Sequence, residues 1–113
     1  MKLGIELQSD RVKPGGDVAG HVNVVEGGAS RSLSLNLSFY EKTRDYLIVA
    51  YTTGFVLHEG ETAVGDSYEF SFTLPAAAPT SAKSKNGELY WELEVASDES
   101  GVDTHSRHRL EVS

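Results

Sequence analysis

The chain contains no cysteine. That excludes disulfide staples, thiolate zinc sites and a cysteine nucleophile. Cations are scarce as well: 10 Lys and Arg against 17 Asp and Glu leave a formal net charge of −7. Nucleic-acid binding needs clustered Lys and Arg against phosphates. An anionic membrane surface likewise attracts polybasic segments. Neither partner is expected. No apolar run approaches the roughly 20 residues that span a bilayer. Met1-Lys2 leads straight into an alternating pattern rather than a signal-peptide core. No membrane insertion is expected, and a cytoplasmic location is. No stretch shows the 3.6-residue period of a helix. At 113 residues the chain reads as one domain, residues 1–113, long enough to bury a core without cross-links.

What is present is period-two alternation. In residues 66–96, Tyr68, Phe70, Phe72 and Leu74 alternate with polar residues, and so do Leu89, Trp91, Leu93 and Val95. Each pattern is a strand with one buried and one wet face. These two strands carry the largest apolar side chains, including the only Trp, so the core is expected around Trp91, Phe70, Phe72, Phe39 and Leu35. Leu3, Ile5 and Leu7 give a first strand. Lys13-Pro14-Gly15-Gly16 reads as a type II turn, with Pro setting φ and Gly supplying the positive φ that follows. Val18, Val22 and Val24 share a face with Gly20, which marks a bulge or a close backbone approach. Gly27-Gly28 ends that strand. Leu33, Leu35, Leu37 and Phe39 form the cleanest alternation, and residues 41–45 form a charged turn.

Residues 46–57 break the pattern. Leu47, Ile48, Val49, Ala50 and Tyr51 are continuously apolar, which suggests a strand covered on both faces. Thr52-Thr53-Gly54 reads as a kink. Residues 58–65 form a loop, residues 75–87 a long connection, and residues 98–103 an acidic turn. Leu110 and Val112 share a face of the last strand. Seven to eight strands with regular turn signals predict an all-β, immunoglobulin-like antiparallel β-sandwich.

Three pieces, in order, resemble the arrestin-like family. They are residues 12–22 with the Pro-Gly turn and the internal Gly20, residues 68–75 ending in Leu74-Pro75 with Pro79-Thr80-Ser81, and residues 87–96 opening Gly87-Glu88-Leu89-Tyr90-Trp91. The Gly27-Gly28 step looks like the bacterial sporulation-control branch. The resemblance implies an arrestin-like sandwich acting as a non-catalytic protein-binding or scaffold module. Such proteins usually carry two sandwiches in tandem, and this chain has room for one. No position matches the phosphate-sensing lysines of animal arrestins.

Chemical motifs are few. His105 and His108, three apart on a strand, point to opposite faces and do not share a metal. His21 and His58 are isolated. Asp98, Glu99 and Asp103 bunch oxygen ligands in a turn without a calcium-loop spacing, and Glu59, Glu61 and Asp66 invite the same idea more weakly. No nucleophile elbow or phosphate loop appears. No catalytic residue, metal or cofactor is assigned. The expected contact residues are Tyr40 and Tyr90, side by side on an outer sheet face if the third and sixth strands are neighbours as in immunoglobulin-like topology; Val49 and Tyr51 in the doubly apolar run, which is expected at the margin of that sheet or in a second patch because one of its faces cannot be in the core; and Lys83 and Lys85 in the 76–86 loop. The loop reads either as a mobile crossover or as a contact for an acidic partner. An unidentified protein partner is expected, with a homodimer as one arrangement. Alternatives are a structural accessory domain, or half of a two-sandwich protein acting in self-association, and more remotely a hydrolase with a loop-borne site.

Overall fold

The computed structural model describes residues 2–26, 30–99 and 104–113, the side chains of Ser30, Arg31 and Glu99 excepted. The Gly27-Gly28 step and most of the acidic 98–103 turn lie outside the described residues. Among the described residues nine strands run β1 (Lys2–Leu7), β2 (Arg11–Val12), β3 (Asp17–Glu26), β4 (Ser30–Thr43), β5 (Leu47–Glu59), β6 (Ser67–Thr73), β7 (Ala82–Ser84), β8 (Gly87–Glu99) and β9 (Thr104–Val112). The excess over the expected seven or eight lies in β2 and β7, of two and three residues. They are too short to show a period.

The strands form two sheets. The small one has the order β1-β3-β6 and the large one β2-β9-β8-β4-β5. Every pairing is antiparallel except β2 with β9. Strand β7 pairs with residues 87–89 of β8, in the lane that β9 occupies farther along. The architecture is the sandwich that the alternation predicts.

Register follows from the period. Leu35 faces Val95, Leu37 faces Leu93 and Phe39 faces Trp91 across β4 and β8. All six are buried, and each such side chain contributes roughly 1.5–3 kcal/mol of burial. The small sheet answers with Leu3, Val18, Val22, Val24 and Phe70. Trp91 is 1% exposed and its ring lies 5.0 Å from that of Phe39. Its indole N–H donates to the Pro79 carbonyl at 2.8 Å, so the one polar atom of this core ring is satisfied. Phe72, expected at the centre, is only half-buried and packs at the core margin.

Two glycines earn their positions. Gly15 has φ 78°, and the Gly16 N–H donates to the Lys13 carbonyl at 2.9 Å, which closes the expected type II turn. At Gly20 a Cβ would run into the Glu6 carbonyl of β1, so this is the close-approach reading rather than a bulge.

The connection after Pro75 crosses from the small to the large sheet and is tied to the sandwich at three residues. Ala78 is buried in the core, Pro79 holds Trp91, and Ser81 exchanges bonds with Val112 through its N–H at 2.6 Å and its Oγ at 3.0 Å. Small side chains let the segment lie against the sandwich, and each backbone bond made there fixes it.

The largest departure is β5. The continuous apolar run predicts a strand covered on both faces, yet Leu47, Ile48, Val49, Tyr51, Phe55 and Val56 are all exposed. The physical reason is the unequal width of the sheets. Among the described residues, β5 is the outermost strand of the large sheet and pairs only with β4. The three-stranded sheet touches it through β6, where Phe72 meets Phe55 and Tyr68 stacks on His58, and leaves residues 47–51 uncovered. The expected kink at Thr52-Thr53-Gly54 is absent; β5 runs unbroken, and the register instead shifts at Leu33/Ser34 and Phe39/Tyr40.

Candidate functional site

Strand β5 gathers most of the exposed large hydrophobic side chains. Its faces follow from pairing with β4, because directly opposed residues share a face. Tyr51, Thr53 and Phe55 oppose Phe39, Leu37 and Leu35, so they lie on the inner face. Thr52, Gly54 and Val56 oppose Ser38, Asn36 and Ser34 on the outer face. The shift at Phe39/Tyr40 puts Val49 opposite Tyr40, also outside, with Ala50 as the extra residue.

The inner face borders an open cleft. Tyr51 meets Trp91 edge-on at 5.9 Å, and Phe55 meets Phe72 edge-on at 6.3 Å. Between them lies a cleft of about 200 Å³ lined by Leu35, Leu37, Thr53 and Pro75 beside these aromatics. A second one of about 270 Å³ continues past Tyr51 to Ala77 and Pro79. Burying aromatic area is strongly favourable, and here Tyr51 remains 42% exposed.

Tyr40 and Tyr90 are register partners on the outer face and stack at 5.1 Å. They do not form an apolar patch. The Arg109 guanidinium covers Tyr90 at 4.0 Å, and Arg109 also donates to Glu88 at 2.9 Å. Farther along the same face Arg107 bridges Glu92 and Glu94, at 3.7 and 2.8 Å. Burial raises the Tyr90 phenol above its ordinary pKa; Glu92 adds to this and Arg109 opposes it. This outer face is a self-satisfied charge ladder.

Lys83 and Lys85 lie apart from Tyr51, at the β7–β8 turn. There they line one surface cleft together with Lys42 at the end of β4 and Arg44 in the β4–β5 turn. The expected contact residues thus divide among three places: the β5 edge, the tyrosine pair and a basic corner. The basic corner joins residues about 40 positions apart in the chain, and the missed members Lys42 and Arg44 had no local signal beyond a charged turn. The other end of the sheet is acidic, with Glu59, Glu61 and Asp98 exposed.

The histidines are accounted for. His21 pairs with Glu6 at 2.8 Å, His108 with Asp10 at 2.9 Å and His105 with Glu94 at 3.4 Å. His58 stacks on Tyr68 at 4.4 Å. Asp66 is committed to the Ala63 N–H at 2.8 Å and the Tyr68 hydroxyl at 2.9 Å, with the Ala63 bond the main cause of its lowered pKa. Among the described residues no group of three or more His, Asp or Glu is placed to hold a metal ion. Also among them, no helix is long and apolar enough to cross a membrane.

No protein-family model matches the chain, and no curated protein matches it. Solved structures do. The sporulation control protein Spo0M of Bacillus subtilis superposes with a TM-score of 0.73 at 23% identity, over 99% of this chain and 49% of Spo0M. The chain therefore spans about half the length of that structure. Its fold is the arrestin-like β-sandwich that the ordered motifs resemble.

Proposed function

We propose that the protein is a non-catalytic, cytoplasmic protein-binding module of arrestin-like type, and that it engages its partner through the free edge of β5. The observation that carries this reading is β5 itself: 13 residues paired on one side only, apolar and exposed on both faces. Edge strands present unpaired N–H and C=O groups, and extended segments bind proteins by adding to such edges. The arrestin-like fold supports the non-catalytic part of the reading. Sporulation control is the named role of Spo0M, and at 23% identity the likeness carries the fold across and not that role.

A photo-reactive residue in place of Val49, expressed in the native host, tests the reading. Lys13, beside β2 at the opposite margin of the large sheet, is the control position. Covalent protein adducts from position 49 and none from position 13 are expected. Equal adducts from both, or none from 49, overturn the reading.

A further inference from the structure

Strand β5 lacks the usual defences of an edge. From Tyr46 to His58 there is no Pro, Lys, Arg, Asp or Glu. Natural edges are normally blunted by charge, proline or shortness, and this one is long, neutral and apolar. Both faces need covering, since Val49 and Val56 point outward and Tyr51 and Phe55 inward. A partner's flat surface would cover one face only. An added strand places its own alternating side chains beside both, about 4.8 Å away.

Charge decides which strand and in which direction. Beyond the start of β5 lies the basic corner, where Lys42, Arg44, Lys83 and Lys85 share one cleft. Glu88 in that cleft is taken by Arg109. Glu41 and Asp45 also sit at this end, leaving the four cations in excess. Glu59 closes β5 and Glu61 lies just beyond it, with Asp98 at the same end of β8, across β4. The uncharged strand thus joins a basic end to an acidic end. Two copies of such a strand laid antiparallel match basic to acidic twice. Laid parallel, they set like against like. The net charge of −7 disfavours contact between two copies over most of the surface, and β5 is the stretch where that penalty vanishes.

Resting on the β5 reading above, we infer that its occupant is a second copy of this chain, with the β5 strands paired antiparallel about a two-fold axis near Thr53. The two large sheets then become one, running β2-β9-β8-β4-β5 in one copy and the reverse in the other. The pairing is isologous, as closed dimers require. With the axis at Thr53, Tyr51 of each copy opposes Phe55 of the other on the inner face, which is a favourable cross-strand pair.

Sedimentation equilibrium on the purified chain tests this. A dimer is expected. Val49→Lys should weaken it roughly tenfold or more while leaving circular dichroism unchanged, because a charge placed on the paired edge then faces the apolar Leu57 of the other copy. Two charge-reversed variants, Lys42→Glu/Arg44→Glu and Glu59→Lys/Glu61→Lys, should each dimerise poorly alone and pair with one another on mixing. The chain has no cysteine, so Thr53→Cys introduces a single thiol, and oxidation should link two copies across the axis. A monomeric wild type overturns the inference, and so does a dimer indifferent to Val49→Lys and to charge reversal. A dimer in which Thr53→Cys does not cross-link overturns the stated axis. The position-49 photo-adduct separates the two claims: a heterologous adduct with a monomeric chain keeps the β5 reading and removes the self-pairing.

Discussion

Strands β5 and β8 are both 13 residues long and flank the same strand, β4, on its two sides. They could hardly be more different in use. Strand β8 alternates strictly and buries Trp91, Leu93 and Val95 while Glu88, Glu92 and Glu94 pair with arginines outside. Strand β5 is apolar on both sides and buries none of its residues fully. The difference lies in their other neighbours. Strand β8 has β9 and β7 beyond it and the small sheet beneath; β5 has no described strand beyond it, and beneath it an open cleft that β6 closes at Phe55 and His58. Alternation records a face that the fold covers. Its loss, at an edge, records a surface that the fold leaves uncovered.

The widest separation of the two strands should appear in stability. Trp91→Ala on β8 should cost about 3–5 kcal/mol in a denaturant titration, by loss of its burial and the cavity left behind. Leu93→Ala should fall in the range of about 2–5 kcal/mol. On β5, Val56→Ala should stay within about 0.5 kcal/mol at protein concentrations low enough to keep the chain monomeric, as exposed sites do. Equal losses on both strands would mean that β5 is covered within a single chain.

A smaller contrast concerns the outer face of β8. The Tyr90 phenol has its pKa raised, chiefly by burial. Its protonated form is favoured by folding, so the contribution is complete below the unfolded value near pH 10 and is lost as pH climbs through the folded value. The Tyr68 phenol is raised as well, by burial and then by its bond to Asp66, so tyrosinate absorbance should show a late-titrating component that Tyr90→Phe reduces and does not abolish. The smallest effect belongs to the basic corner. Lys83→Glu with Lys85→Glu should change stability by less than about 0.5 kcal/mol, since both side chains are exposed. A larger loss would show that the corner is structural.

The sandwich was legible because most strands bury one face, and burial writes a period of two. Leu33 to Phe39 and Leu89 to Val95 could be placed on their inner faces by counting. The Pro14-Gly15 turn was legible from φ alone. The tyrosine pair was legible in its geometry, since inward Phe39 and Trp91 force Tyr40 and Tyr90 outward. Its cover was not: Arg109 lies 19 residues past Tyr90, and nothing local to either announces the stacking. Strand β5 was misread in one respect. A run apolar on both sides is the same in sequence whether the fold covers both faces or neither, because the width of the opposing sheet is a property of the assembled strands. The ties of the 75–87 connection were also invisible, because Pro79 and Ser81 hold their partners largely through backbone atoms.

The bond from Trp91 to the Pro79 carbonyl has a practical consequence in spectroscopy. With one indole in the chain, emission reports a single place, and that place is where the connecting segment closes over the large sheet. Quenching and spectral position should therefore follow the docking of residues 76–81, while far-ultraviolet dichroism follows the strands. If the segment lifts before the sheets separate, the two signals will part during unfolding. The chain thus carries its own probe for whether its closure and its core melt as one.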